Sequence, residues 1–214
     1  MMALKKTIFK NEVKKILLDH ILTGNIKPGE RISLPAIARE LELSVTPIRE
    51  ALTQLSETGM VIYIANRGFF VMELSLKEAN ELYDLMAVLE GNAVKNSSYS
   101  TKQIQELRAI NSEFVKANNT LDMMNYDRLF HQKLIETYNN ESAVKIIENL
   151  RVRISLYDYA LWNENQKMLS IAMHEKILSL LASDDIASAV IVVEDNWTQG
   201  VQNIINTLEK TQSK

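Results

Sequence analysis

The chain has 214 residues, of which 46 % are hydrophobic and 24 % charged, and its formal net charge is −3. This composition is typical of a globular protein and excludes the disordered and fibrous classes. The absence of cysteine from the sequence excludes disulfide scaffolds, cysteine nucleophiles, iron–sulfur clusters and thiolate zinc sites.

The sequence also contains no recognisable targeting or membrane-spanning segment. Residues Met1–Lys10 contain no apolar core followed by a small-residue cleavage site, so no secretory signal is expected. No uncharged apolar run approaches the roughly 18–20 residues that are needed to cross a bilayer. We therefore expect a cytoplasmic protein without a membrane partner.

Helix-breaking residues and charge are distributed unevenly along the chain. All three prolines and four of the six glycines lie in the first 70 residues. Those residues have a net charge of +3, whereas residues 71–214 have a net charge of −6. Because a long segment almost free of glycine and proline is typical of helix, the sequence predicts a mainly α protein. We expect two domains, residues 1–73 and residues 74–214.

The first domain has the pattern of three short helices followed by a β-hairpin. Periodic apolar residues predict helices over 9–23, 33–41 and 44–59, of which the third begins with a serine N-cap. Two β-rich runs at 61–64 and 69–73 follow, joined by a short turn. This order is that of a winged helix-turn-helix, whose third helix enters the major groove of DNA.

Four segments of this domain resemble the GntR family of bacterial transcription regulators. They are KPGER at 27–31, LSVTPIREAL at 43–52, GMV at 59–61 and NRGFFV at 66–71. The resemblance implies that DNA is contacted by the second helix, by the start of the third helix and by the tip of the hairpin. The residues expected to make these contacts are Arg39, Ser44, Val45, Thr46, Arg49, Arg67 and Gly68.

One of these positions departs from the family pattern. The family usually has an arginine directly after the serine or threonine that begins the recognition helix, and this chain has Val45. An apolar side chain suits a thymine methyl group, whereas arginine suits the edge of guanine. We therefore expect an operator half-site that differs from the usual half-site of the family.

The second domain is predicted to consist of six helices. Such helices, joined by short connections, form an antiparallel bundle whose interior is a natural place for a ligand pocket. A capping box formed by Ser75 and Glu78 begins the first helix. The predicted ranges are about 75–96, 101–117, 123–138, 141–161, 165–182 and 185–209.

Three residues of this domain have the chemistry of metal ligands. Asp127 and His131 are four residues apart, which places them on one face of a helix where they can share a metal ion. His174 lies in a different predicted helix. Taken singly, ordinary buried or surface imidazoles are the simpler interpretation of both histidines.

The six helices, placed after a GntR-type domain, resemble the FCD domain of the FadR-like branch of that family. Its metal-binding members carry Asp-x-x-x-His on one helix, a histidine on a later helix and a further histidine downstream. The resemblance implies a divalent metal cofactor, zinc-, nickel- or manganese-like, held by Asp127, His131 and His174. The fourth position is Asn196, a weaker ligand for such ions than imidazole. Asn196 is compatible with three arrangements: it coordinates the ion directly, it coordinates through a water molecule, or it leaves an open position for an effector.

Effector-binding residues are expected in the fourth helix of the bundle. Arg151 and Arg153 are two residues apart and cannot both face the interior. We expect one of them to lie in the pocket beside Tyr157, and the alternative is that both are solvated. Related domains often have an arginine at the position of Met86, where it can bind a carboxylate. This chain lacks that arginine. The resemblance still implies a small organic acid whose carboxylate completes the coordination of the metal.

The sequence therefore predicts a ligand-responsive transcription regulator, expected to be a repressor, that binds a near-palindromic double-stranded operator as a homodimer. A first alternative is a metal-free regulator with a larger apolar ligand such as an acyl thioester, which Asn196 and Met86 both favour. A second alternative is a metal-dependent hydrolase. No general base with a recognisable spacing accompanies the three ligands, and the DNA-binding half would be unexplained. We therefore expect no enzyme and no catalytic residue.

Overall fold

The computed structural model describes the backbone of residues 2–161 and 163–212 and the side chains of residues 11–161 and 163–209. The chain divides into two compact units between Ser75 and Leu76. The predicted fold class, mainly α with a winged helix-turn-helix followed by six helices, is confirmed. No helix in the described part of the chain is long and apolar enough to span a membrane.

The first unit has three helices and one two-stranded antiparallel sheet. The first helix begins earlier than predicted, since no glycine or proline interrupts the chain before Gly24. The second helix has its predicted N-cap, with the Ser33 side chain accepting a hydrogen bond from the Ala36 amide at 3.4 Å. The elements are α1 (Met2–Leu22), α2 (Leu34–Glu40), α3 (Val45–Glu57), β1 (Val61–Ile64) and β2 (Gly68–Val71).

The core of this unit fixes which face of α3 is free. Ile48, Leu52 and Leu55 of α3 are fully buried and pack in the core to which α1 contributes Leu17. Because one face of α3 is taken up in this way, its polar residues lie on the outside. The N-cap position of α3 is Ser44 as predicted, although its side chain makes no capping hydrogen bond.

The hairpin joins β1 and β2 in the register Val61↔Val71 to Ile64↔Gly68. Gly68 has φ +97°, a conformation that side chains rarely adopt, and it closes the turn at the tip. A β-bridge between Arg31 and Phe70 lays the segment before α2 along the outer edge of β2. The Ile32 amide, for example, donates to the Phe69 carbonyl at 2.8 Å.

The second unit consists of six helices whose number agrees with the prediction. The fifth helix of the chain begins with a capping box between Ser100 and Gln103, and the sixth is capped by Asn119. The sixth ends at Leu134, four residues before the predicted end. The helices are α4 (Leu76–Lys95), α5 (Thr101–Lys116), α6 (Thr120–Leu134), α7 (Glu141–Leu161), α8 (Glu164–Ala182) and α9 (Ile186–Gln212).

Packing in this unit brings α4 and α9 closest together. A Cβ atom at Gly91 would lie 2.6 Å from the Glu194 carboxylate, so the absence of a side chain at Gly91 permits this approach. The interior that α4, α6, α8 and α9 share is not purely apolar. Seven polar side chains are buried in the described part of this unit: Glu90, Asn111, His131, Gln166, Ser170, His174 and Asn196.

Candidate functional site

The start of α3 presents the residues that the sequence implicates in DNA binding. Ser44, Thr46 and Arg49 are exposed, whereas Val45 is half-buried. Pro47 in the first turn costs no helix hydrogen bond, and free amide groups at a helix start can meet phosphate oxygens. The geometry therefore leaves one arginine and two hydroxyl side chains available at this helix start.

Arg39 is exposed on α2, and its Nε donates to the Pro35 carbonyl of the same helix at 3.3 Å. This contact holds the side chain along α2. The guanidinium retains further N–H donors, which can still meet an anion.

The tip of the hairpin carries the remaining predicted DNA residues and one that the sequence did not indicate. The Arg67 guanidinium lies 5.3 Å from the centre of the Phe70 ring, a cation–π contact that holds it at the surface. The exposed Arg31 side chain lies beside Gly68, with its Nε 3.8 Å from where a Cβ would stand. Only the pairing of Arg31 with Phe70 places this arginine at the tip, and no short-range signal in the sequence predicts that pairing.

The second unit brings together the three predicted metal ligands. Asp127, His131 and His174 each offer a ligand atom, and these atoms all lie within 4.8 Å of one another. The Asp127 carboxylate lies 4.0 Å from His131 Nε2 and 3.6 Å from His174 Nε2. Both histidines are buried, at 2 % and 0 % exposure, and Asp127 is half-buried.

Hydrogen bonds on the outer nitrogens orient both imidazole rings. His131 Nδ1 lies 2.6 Å from Glu90 Oε1, and His174 Nδ1 lies 3.0 Å from Asn111 Oδ1. Asn111 in turn donates to the Glu175 carboxylate at 2.6 Å. Because an acceptor at Nδ1 keeps the proton on that nitrogen, the Nε2 lone pair of each ring is directed to the shared centre.

Two atoms at this centre have no hydrogen-bond partner among the described residues. They are Asp127 Oδ1 and His174 Nε2, which are both buried. Buried polar atoms are rarely left unpaired in native proteins, and an unmade bond costs about 1–3 kcal/mol. A carboxylate oxygen and an imidazole nitrogen that face each other without a partner fit a shared cation.

Asn196 also reaches the centre, at 7 % exposure, through its amide nitrogen. Its Nδ2 lies 3.2 Å from His131 Nε2. An amide nitrogen is no metal ligand, whereas a half-turn of the amide group would present Oδ1, which suits hard cations. The side chain therefore occupies the position that the sequence indicated.

Burial and neighbouring charges shift the pKa values of these groups in different directions. Burial raises the pKa of Asp127 and lowers that of His174 well below its usual value. Burial alone opposes a charge on His131 and on Glu90. Their mutual contact overcomes it, so the pKa of His131 is raised and that of Glu90 is lowered. His174 is therefore held neutral, as a metal ligand must be.

Glu90, like Asn111, is a residue of the site that sequence reasoning missed. It is fully buried and accepts from His131, from Arg151 Nη2 at 3.2 Å and from Trp197 Nε1 at 2.9 Å. Trp197, which the helical spacing explains as core packing, is thus also a hydrogen-bond donor to the site. The partners of Glu90 lie on α6, α7 and α9, and their convergence depends on the tertiary fold.

The predicted effector residues do not form one group. Arg151 is 10 % exposed and contacts Glu90, next to the predicted metal ligands. Arg153 pairs with Glu78, whose other carboxylate oxygen accepts from the Tyr157 hydroxyl at 2.7 Å.

Arg151 is the more enclosed of the two arginines, since its side chain is 10 % exposed and that of Arg153 is 30 % exposed, so the alternative that both are solvated does not hold for Arg151. Their long side chains reach in different directions from neighbouring positions on α7, to carboxylates twelve residues apart on α4. Met86 is fully buried, and it puts an apolar side chain where the related domains often have an arginine.

Two protein-family models match the chain. The model for bacterial regulatory proteins of the gntR family matches residues 9–71, and the FCD domain model matches residues 81–196. The Nta operon transcriptional regulator of Aminobacter aminovorans is 31 % identical over 78 % of this chain and 82 % of its own length.

The chain belongs to the GntR family of bacterial transcription regulators.

A second relative agrees with this assignment, and two solved structures share the fold. The transcriptional regulator McbR of Escherichia coli is 26 % identical over 81 % of this chain and 82 % of its own length. The solved structure of E. coli McbR superimposes with a TM-score of 0.75 at 24 % identity, over 92 % of this chain and 97 % of that chain. A GntR regulator from Rhodococcus sp. RHA1 gives a TM-score of 0.79 at 22 % identity, with 92 % and 97 % coverage.

The family and relatives are transcriptional regulators, which confirms that the protein is not an enzyme. This GntR-family protein therefore combines a DNA-binding domain with an FCD domain.

Proposed function

We propose that this GntR-family protein is a cytoplasmic repressor that binds a near-palindromic operator as a homodimer and senses a small organic acid at a divalent metal site. The observation that supports it most is the group of Asp127, His131 and His174, whose ligand atoms lie within 4.8 Å of one another. The unpaired Asp127 Oδ1 and His174 Nε2 at its centre add to this support.

The donor set fits a zinc-, nickel- or manganese-like ion. Asp127, His131 and His174 would hold it, and Asn196 would contribute an amide oxygen after rotation or leave that position to the effector. When bound, the ion would supply a Lewis-acid site to which a carboxylate can bind. Glu90 and Asn111 orient the imidazoles, and such contacts outside the ligands typically contribute 10- to 100-fold to metal affinity.

Arg151 is the residue that supports an acidic effector. Its Nη2 is bound to Glu90, whereas its Nε is buried and has no partner among the described residues. We call Asp127, His131 and His174 the ligand group. An effector carboxylate that lies beside the ligand group would give Arg151 Nε a charged acceptor. Arg153 and Tyr157 are both bonded to Glu78, in the first turn of α4. They would therefore contact the effector only near this end of α4.

DNA binding is proposed to involve Ser44, Thr46 and Arg49 in the major groove, with Val45 facing a thymine methyl group. Arg67 and Gly68 would follow the backbone from the hairpin, and Arg39 would add a phosphate contact. Two such units on a two-fold axis match a near-palindrome. The acid would act by binding one arrangement of the dimer better than another, which changes operator affinity through linkage.

A repressing role is supported by one named relative. The gluconate operon transcriptional repressor of Bacillus licheniformis is 29 % identical over 61 % of this chain and 56 % of its own length. A metal-free regulator with a larger apolar ligand is the second candidate. It is favoured by the buried Met86 and by the amide nitrogen, rather than oxygen, that Asn196 turns toward His131.

The test compares acid binding by metal-stripped and Zn²⁺-reconstituted protein, with acetate, lactate and succinate as calorimetric probes. We expect binding only by the reconstituted protein and its loss in His174→Ala. The matched control is His20→Ala, because His20 lies on α1 in the DNA-binding unit. Equal binding by stripped and reconstituted protein would rule out sensing through the metal.

A further inference from the structure

The inward face of α8 carries a line of buried polar side chains. Gln166, Ser170 and His174 are 6 %, 4 % and 0 % exposed, and they are spaced four residues apart. Residues at this spacing lie above one another on a helix face. We call these three residues the α8 polar line. An amphipathic helix normally buries apolar groups here, so each polar group requires its own explanation.

The last two positions of this line, Ser170 and His174, lie at the proposed metal centre. His174 is one of the proposed ligands, and the Ser170 hydroxyl is hydrogen-bonded to the carboxylate of Asp127. The line thus runs from the metal centre toward the start of α8.

Gln166 is not accounted for by the metal site. Its side-chain Oε1 is buried and has no hydrogen-bond partner within the described residues. It lies two helix turns from His174, about 12 Å along the axis. The line therefore has unpaired polar atoms at both ends, one at His174 and one at Gln166.

The Gln166 side chain packs closely against α9. Gly200 of α9 lies against it, since a Cβ there would be 3.2 Å from Gln166 Nε2 and 3.6 Å from the Tyr83 ring. Tyr83 is buried, and its hydroxyl donates to Asp158 Oδ1 at 2.6 Å. The ring of Tyr83 also lies 5.9 Å from that of Trp197, which contacts the His131 ring at 4.8 Å. Side-chain contacts thus connect this end to the metal centre.

We propose that Gln166 binds the far end of the effector, and that the effector is a short organic acid with a hydroxyl group opposite its carboxylate. Resting on the proposed function, this assigns the carboxylate to the ligand group and the hydroxyl to Gln166 Oε1. The Tyr83 hydroxyl is already committed to Asp158, which leaves Gln166 as the acceptor. After a contact of about 3 Å at each end, about 6 Å of the 12 Å helix rise remains between the carboxylate and hydroxyl oxygens, which corresponds to a chain of about four carbon atoms.

The role of Gln166 also has a consequence for the protein without effector. In the protein without effector, the buried Gln166 Oε1 has no hydrogen bond, and such an unpaired acceptor destabilises the folded state. Gln166→Leu keeps a similar volume and removes the unpaired oxygen. We expect its Tm without effector to equal or exceed that of the wild type. A glutamine with a purely structural role would give a lower Tm on the same substitution.

The experiment measures binding of butanoate and 4-hydroxybutanoate to the full-length Zn²⁺-loaded protein by calorimetry. We expect the hydroxy acid to bind about five- to tenfold more tightly, as one added hydrogen bond gives. This preference should disappear in Gln166→Leu and persist in Gln166→Glu, which keeps an acceptor oxygen. Gln105→Leu, an exposed position on α5, is the control and should retain the preference.

The possible failures are distinguishable. Equal affinity of the two acids for the wild type would overturn the role of Gln166 while leaving acid sensing at the metal intact. A preference that survives in Gln166→Leu, or a lower Tm of that variant, would also overturn it. Failure of both acids to bind would contradict the proposed function itself.

Discussion

The two units of this GntR-family protein place their functional polar groups in opposite environments. In the DNA-binding unit, Ser44, Thr46, Arg49 and Arg67 are exposed on a short helix start and a hairpin tip. In the FCD unit, the two histidines of the proposed metal site are buried, as are Glu90 and Asn111, which are hydrogen-bonded to them.

Exposed and buried polar groups contribute to stability and to binding in different ways. Exposed charges contribute through phosphate contacts that salt weakens, and they contribute little to stability. Buried polar groups affect stability, pKa values and ligand affinity together, because each has been removed from water. Substitutions in the two units should therefore be measured by different experiments.

The largest expected effect is at Glu90. Glu90→Ala leaves His131 and Arg151 without their buried acceptor, and breaking a buried pair typically costs about 3–5 kcal/mol. We expect a loss of this size in the free energy of unfolding, measured by urea denaturation. Glu81→Ala, on the same helix, removes a carboxylate that is 64 % exposed and pairs with the exposed Lys77, so it should change little. Equal effects of the two substitutions would contradict the contrast between buried and exposed groups.

The pH dependence of stability should report the carboxyl group of the half-buried Asp158. Burial raises its pKa from 3.8 to about 7, even though Tyr83 donates a hydrogen bond to it. The folded state therefore binds a proton more tightly than the unfolded state. Its stabilising contribution is complete below pH 4 and is lost as the pH rises through 7.

The measurement compares the unfolding free energy of wild type and Asp158→Asn at several pH values. Relative to this variant, the wild type should lose on the order of 2–4 kcal/mol between pH 4 and pH 8. A difference that is independent of pH would show that Asp158 titrates as an ordinary carboxyl group.

In the DNA-binding unit, Arg49→Ala should weaken binding to a duplex selected by the wild type by about 1–3 kcal/mol if Arg49 contacts a base. Fluorescence anisotropy at two salt concentrations measures this, and the unfolding free energy should stay unchanged because the side chain is exposed. Arg108→Ala removes the same charge from α5 of the FCD unit and serves as control. Equal losses for both variants would show that only overall charge matters.

The smallest expected effect on affinity is at Val45. Val45→Arg should change the base preference at one position of the half-site, since arginine favours guanine and valine a thymine methyl group. Selection from random duplex DNA by each protein gives the two motifs. If the motifs are identical, residue 45 does not face the groove.

Much of the fold follows from short-range sequence signals. The predicted bounds of α7 and β1 match the structure, because the apolar period and the flanking polar residues are local features. The end of α6 was predicted four residues too late. Thr137, just beyond it, exchanges hydrogen bonds with the Ser98 backbone at 3.0 Å, and this tertiary contact holds the segment in a turn.

The residues of the candidate site also divide into those that local spacing predicts and those that depend on tertiary contacts. The spacing of Asp127 and His131 was sufficient to place them on one helix face. Glu90 lies 41 residues from His131 along the chain, so their contact depends on how α4 packs in the bundle. Arg31 at the hairpin tip depends likewise on a long-range pairing.

The most direct test of the account is the metal content of the protein purified without chelator or affinity tag, determined by elemental analysis. We predict about one divalent ion per chain in the wild type and none in His174→Ala, with the same unfolding behaviour of the DNA-binding unit in both. A wild-type protein without stoichiometric metal, or a His174→Ala variant that retains it, would contradict the claim that Asp127, His131 and His174 form the sensing site.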